Sequence, residues 1–189
     1  MKEGNKLAGG NPSRGRVEND FYATHPDSVK ALLEREKIIY PALEPACGEG
    51  HIAKLLTGGQ VIATDLIQRG YGGAPFNFLT DDFDNSVKYP TVITNPPFNL
   101  FTEFLEKALE VATHKVILFG KLQALEGQKR ASFIEKTPLR TVYVFKKRQQ
   151  PLRDGKEVDD NGKKLSSTMA FAWFVWEKGY TGKPTIEWI

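Results

Sequence analysis

Cysteine is nearly missing from this chain: Cys47 is the only one in 189 residues. An internal disulfide is therefore impossible, and a cysteine-rich zinc site is excluded as well. Histidine is scarce too. His25, His51 and His114 stand far apart with no metal-ligand spacing, so no metal is expected. No apolar stretch approaches the roughly 20 residues that cross a bilayer, and no membrane partner is expected. Residues 1–20 are polar and hold Gly4, Gly9, Gly10, Pro12 and Gly15, which fits neither a secretory signal nor a transit peptide. A reducing cytoplasm is the expected compartment. Charge of one sign is also in short supply. The net charge of +3 admits a polyanionic partner without pointing to one. There is no internal repeat and no low-complexity tract.

Hydrophobic residues make up 40% of the chain and charged residues 26%, a globular mix with enough apolar surface for one core. The expected organisation is a flexible arm over residues 1–20, then one domain over 21–189. Helical composition at Asp27–Glu36 is followed by alternating extended and helical signals. Ile38–Leu43, Val61–Asp65, Tyr89–Thr94 and Lys115–Phe119 read as strands. Gly50–Leu56, Leu100–Val111 and Leu122–Lys136 read as helices between and after them. That alternation predicts an α/β fold, a mostly parallel sheet covered on both faces. Thr141–Phe145 and Met169–Trp176 are two further strand-like runs with no helical pattern between them, which predicts an antiparallel pair at one edge. The segment joining them, Lys146–Ser167, is long and polar, as functional loops are.

Two motifs carry chemistry. The first is Glu44-Pro45-Ala46-Cys47-Gly48-Glu49-Gly50, between a predicted strand and a predicted helix. Glycine there lets the backbone turn tightly beside a ligand, and a helix start offers N–H groups. Asp65, at the end of the next strand, is placed to accept hydrogen bonds from ribose hydroxyls. A glycine pair alone reads as a turn. The whole context predicts a nucleoside cofactor.

The second is Asn95-Pro96-Pro97-Phe98, also at a strand end. Two prolines alone describe a rigid turn. They do not require an amide before them or an aromatic ring after them. An adenine amino nitrogen is a poor nucleophile because its lone pair is delocalised into the ring. Two acceptors, the Asn95 side-chain oxygen and the Pro96 carbonyl, can take its two hydrogens, and the prolines hold those acceptors still. Phe98 can stack on a base turned out of its helix.

On these motifs the chain resembles the class I S-adenosylmethionine-dependent methyltransferases, specifically the adenine-N6 DNA methyltransferases with an Asn-Pro-Pro-Phe motif. It is most similar to small phage and prophage-type members. The resemblance extends to Asp20–Pro26, Leu125–Arg130 and Met169–Trp176, and the motif order is similar to the gamma arrangement. It implies a Rossmann-like methyltransferase fold with a seven-stranded sheet whose last pair is antiparallel. It also implies S-adenosyl-L-methionine as cofactor and DNA as partner. By the same resemblance Tyr22 and Thr24 contact the cofactor's methionine end, and Glu44, Ala46, Gly48 and Gly50 line its middle. Asp65 holds the ribose and Leu66 packs beside the adenine. Asp82 and Phe83 read that adenine, with Asp81 an equal alternative to Asp82 and a solvated acidic turn the plain reading of both. Asn95, Pro96, Pro97 and Phe98 form the catalytic set.

Two departures stand out. The chain has no room for a large target-recognition region, which leaves the Lys146–Ser167 segment, and Lys146, Lys147 and Arg148 in particular, as the nucleic-acid contact; a mixed-charge solvated loop is the alternative. His25 interrupts the usual Thr-Pro pairing and unsettles the placement of Thr24. Cys47 is expected to be a small packed residue, not a nucleophile. Methylation of adenine in RNA, of a glutamine in protein, or a non-catalytic nucleic-acid-binding scaffold are the rival functions. The sequence sets no oligomeric state and no recognition sequence.

Overall fold

The computed structural model describes residues 22–82, 87–149 and 169–189, together with the backbone of 152–153. The expected arm at 1–20, Phe83 and most of the Lys146–Ser167 segment lie outside the described residues.

The elements run in the order β1 (Tyr22–Ala23), α1 (Pro26–Leu33), β2 (Ala42–Glu44), β3 (Val61–Ala63), β4 (Tyr89–Thr94), α2 (Phe101–Val111), β5 (Ala112–Lys121), α3 (Gln128–Ile134), β6 (Leu139–Val144), β7 (Leu152–Arg153), β8 (Phe171–Glu177) and β9 (Thr185–Trp188). Seven of the strands form one sheet in the order β3-β2-β4-β5-β8-β6-β9, and β1 and β7 form a separate ribbon. The pairs β3–β2, β2–β4 and β4–β5 are parallel, β8 is antiparallel to both β5 and β6, and β9 is parallel to β6. This is the expected mostly parallel α/β sheet with an antiparallel pair.

Alternation along the central strands explains why it is buried on both sides. Val92, Val116, Leu118, Phe174 and Trp176 point to the face covered by α2, against Phe101, Phe104 and Leu105. Ile93, Ile117, Phe119, Trp173 and Val175 point to the other face, where α1 packs Val29 and Leu32. Strands covered on both faces read as unbroken apolar runs, which is what Val116–Phe119 and Phe171–Trp176 are.

Three expectations are corrected. The pair β6–β8 is not the edge of the sheet, because β9 adds a strand beyond β6. The helix over Gly50–Leu56 reduces to one 3-10 turn at Ala53–Leu55. Gly50 has a φ of 79°, outside any helix, and Gly59 passes so close to Tyr40 that a Cβ there would sit 2.6 Å from the ring. The helix over Leu122–Lys136 is broken at Gly127, whose φ of 100° separates a 3-10 turn at Leu122–Leu125 from α3.

Candidate functional site

The parallel strands β2, β3 and β4 end side by side, and a cavity of about 230 Å³ opens at their carboxyl ends. This is where ligands bind in open α/β sheets. Its wall takes Tyr22 and Thr24 from the approach to α1, Glu44 and Ala46 from the end of β2, and Asp65 and Leu66 from the end of β3. Asn95 and Pro97 enter from the end of β4. His25, the residue that interrupts the Thr-Pro pairing, caps α1: its Nδ1 accepts from the Asp27 N–H at 3.1 Å while Pro26 starts the helix. Thr24 is thereby held buried against the cavity.

The glycine loop is braced from within. Asp65 accepts from the Gly48 N–H at 2.7 Å and, through its other oxygen, from the Ile67 N–H at 2.9 Å. Glu44 accepts from the Ala53 N–H at 2.8 Å, and the N–H groups of Cys47 and Gly50 go to Thr64 and Cys47 carbonyls. The N–H groups of Cys47, Gly48 and Gly50 are thus engaged within the chain. Carboxylate oxygens keep further lone pairs, so Asp65 can still accept from hydroxyls.

Burial drives the Glu44 carboxyl well above the usual carboxylate range; the Ala53 N–H pulls it back and the nearby Asp65 charge pushes it further up. The Cys47 thiol is pushed up to about 12, first by burial and then by the charges of Glu44 and Asp65. A thiol held protonated is a poor nucleophile, in line with the packed role expected for it.

Asn95 occupies the other end of the wall. Its amide nitrogen donates to the Tyr22 carbonyl at 2.7 Å, while its side-chain oxygen is buried with no hydrogen-bond partner. A buried acceptor left unmade costs on the order of 1–3 kcal/mol, so it marks a place prepared for a donor. Pro96 is buried beside it. Phe98 lies outside the cavity wall. Its ring stacks on Tyr22 at a centroid distance of 5.7 Å and meets Phe171 at 5.5 Å, with the Lys121 ammonium 4.8 Å from its centroid.

The structure brings Tyr22, Thr24, Glu44, Ala46, Asp65, Leu66, Asn95 and Pro97 together around one cavity. Gly48 and Gly50 do not line it: Gly48 turns its N–H to Asp65, and Gly50 is covered by the Tyr71 ring, 2.5 Å from where a Cβ would stand. Asp82 is exposed and off the wall. The chain reverses earlier, where Asp81 accepts from the Asn77 N–H at 2.8 Å and the Asn77 carbonyl accepts from Asp81. The wall positions beside Asp65 are filled instead by Asn77 and Phe78. Arg69 and Lys121 are also near the site without having been foreseen. Lys146, Lys147 and Arg148 are exposed and consecutive, just past β6. Among the described residues there is no cluster of three or more potential metal ligands, and no helix long and apolar enough to cross a membrane.

The chain matches no family model and no curated protein sequence. Solved structures do match. A modification subunit of a proposed type I restriction enzyme from Vibrio vulnificus superposes with a TM-score of 0.55 at 13% identity, over 89% of this chain and 47% of that one. A dimethyladenosine transferase from Plasmodium falciparum gives a TM-score of 0.55 at 14% identity, over 84% and 64%. A magnesium protoporphyrin IX methyltransferase from Synechocystis with bound S-adenosylhomocysteine gives 0.53 at 11%, over 82% and 83%. The shared feature is the fold. It is the Rossmann-like methyltransferase fold, and the chain spans less than half the length of the Vibrio protein.

Proposed function

We propose that this chain is an S-adenosylmethionine-dependent methyltransferase acting on the N6 amino group of adenine in DNA, with the base flipped out of its helix. The observation that carries the reading is the buried, unpartnered side-chain oxygen of Asn95 at the edge of the cavity. A retired scaffold has no use for such an acceptor. The donor set also fits the cofactor: a carboxylate for a ribose diol, and apolar Leu66 and Phe78 for a nucleoside base.

S-adenosylmethionine supplies an electrophilic methyl group on a positively charged sulfur. On this reading Tyr22 and Thr24 hold its methionine end, Glu44 and Ala46 line its middle with the Gly48–Gly50 turn bracing them from behind, and Asp65 and Leu66 receive the ribose and adenine. Asn77 and Phe78 take the adenine-facing role first expected of Asp82 and Phe83. Asn95 accepts one hydrogen of the acceptor amino group and the Pro96 carbonyl the other. Withdrawing both hydrogens from the ring plane frees the nitrogen lone pair, and Pro96 and Pro97 keep the two acceptors fixed. Phe98 supplies an aromatic face for the flipped base. Lys146, Lys147 and Arg148 contact the phosphate backbone. The phage-type resemblance suggests a bacterial host's cytoplasm and a role in protecting DNA.

The test is a transfer assay with labelled S-adenosylmethionine and separate DNA, RNA and protein arms, read by mass spectrometry after digestion. Labelled N6-methyladenine from DNA is the expected product, and Asn95→Ala should lower its formation by about 100-fold or more. Label confined to RNA or protein would replace the substrate assignment, and an Asn95→Ala protein with wild-type rates would remove the clamp.

A further inference from the structure

The acceptor clamp hangs from a ribbon that shows two residue pairs among the described residues. Asn95 is oriented by the Tyr22 carbonyl, which takes its amide nitrogen at 2.7 Å and thereby leaves the oxygen as the free end. Turned by half a rotation, the same amide would present N–H donors to an amino group that needs acceptors. The Tyr22 ring in turn stacks on Phe98. Tyr22 is thus in contact with both side chains assigned to the acceptor base.

Yet Tyr22 has no place in the main sheet. Among the described residues its strand β1 pairs with β7 alone, Tyr22 opposite Arg153 and Ala23 opposite Leu152, antiparallel. An isolated two-stranded ribbon is marginal in water, so its population responds to anything that steadies either strand. The chain reaching β7 leaves β6 through three consecutive exposed cations, Lys146, Lys147 and Arg148. It is then pinned at Gln149, whose side-chain oxygen accepts from the Ser28 hydroxyl at 2.9 Å near the start of α1. Phosphate contacts on those cations would fall a few residues before the backbone of β7, which pairs with Tyr22.

We propose that Tyr22 is a positioning residue for Asn95 and Phe98, and that DNA bound along Lys146–Arg148 steadies the β1–β7 pairing, so that substrate contact sets the acceptor clamp. This rests on the chain being a DNA methyltransferase. DNA bound there favours the paired ribbon over the frayed one, which is the differential affinity that such coupling requires.

The experiment uses the full chain and Leu152→Pro, which removes a backbone N–H from β7 and keeps every charge, with Leu152→Ala as the variant that keeps the N–H. DNA affinity is read by fluorescence anisotropy and methyl transfer by single turnover at saturating duplex. Leu152→Pro should bind duplex within about threefold of wild type and transfer at least about tenfold more slowly, with Leu152→Ala restoring the rate. In the wild type, hydrogen exchange at Tyr22–Ala23 and Leu152–Arg153 should slow together when duplex is added. A wild-type transfer rate in Leu152→Pro overturns the proposal, as does a loss confined to DNA affinity. Exchange at these amides unmoved by DNA also overturns it, whether or not the proline variant folds. A wild type that never methylates DNA defeats the underlying reading instead, and its own control lane shows which has failed.

Discussion

Glu44 and Cys47 are both buried beside the glycine loop, and burial raises the carboxyl of the one and the thiol of the other. Glu44 earns its place through one acceptor atom, the oxygen that takes the Ala53 N–H. A glutamine keeps such an oxygen and cannot ionise. Glu44→Gln should therefore fold with wild-type stability in mild acid and melt higher than wild type in alkali. Glu44→Ala, which orphans the Ala53 N–H, should lose about 1–3 kcal/mol. Thermal melts across pH check both. Cys47 makes a second prediction: iodoacetamide should leave the folded protein unmodified near neutral pH and label it only after denaturation, as mass spectrometry will show. The wall residues legible in the sequence were those tied to a fixed local motif, above all Asn95 and Asp65. Asn77 and Phe78 were not legible. Nothing in their types distinguishes them from the acidic turn that follows, and only the early chain reversal at Asn77 puts them on the wall.

Elements were readable in proportion to how far burial dictates them. The central strands had to be apolar on both faces, and α2 had to be amphipathic, so β4, α2 and β8 emerged close to their expected bounds, while β5 runs over Ala112–Lys121, beyond the expected Lys115–Phe119 at both ends. Two failures share the opposite cause. Strand β9 is exposed along Thr185–Trp188 and is held by backbone pairing to β6, so it carries no burial pattern. The Gly50–Leu56 segment has helical composition but is governed by close approaches of Tyr40 and Tyr71 to glycines. A similar close approach fixes the start of α2. A Cβ on Gly120 would stand 2.5 Å from the Phe101 ring, and Phe101 lies three residues past Phe98. Gly120→Ala should push that ring away, cost about 1–3 kcal/mol in urea denaturation, and slow transfer by shifting the motif.

Across the molecule, the two ends of the parallel strands carry buried carboxylates with opposite responses to pH. At the amino ends, away from the cavity, Glu36 is nearly fully buried and accepts from the Lys115 ammonium at 2.6 Å and the Tyr143 hydroxyl at 2.7 Å. Arg140 completes the group, pairing with Glu36 and, at 2.9 Å, with Glu177. Burial alone would raise the Glu36 carboxyl, but the hydrogen bonds from Lys115 and Tyr143, with the charges of Lys115 and Arg140, outweigh it and hold it below the usual range. A carboxyl lowered by folding stabilises the native state above its unfolded value of about 4.3, and that contribution is lost as pH falls through the native value. Glu44 works the other way. Its raised carboxyl contributes fully below the unfolded value, and the contribution is lost as pH rises through the native one. The wild type should therefore be most stable in an intermediate window, with melting temperature falling on both sides. Glu36→Gln should remove its share of the acid limb, while costing about 3–5 kcal/mol at neutral pH by stranding the Lys115 charge. Glu44→Gln should flatten the alkaline limb alone. Melting curves of the two variants between mild acid and mild alkali decide it: one limb changing in both proteins, or neither, would mean that these two carboxylates do not set the pH range of the fold.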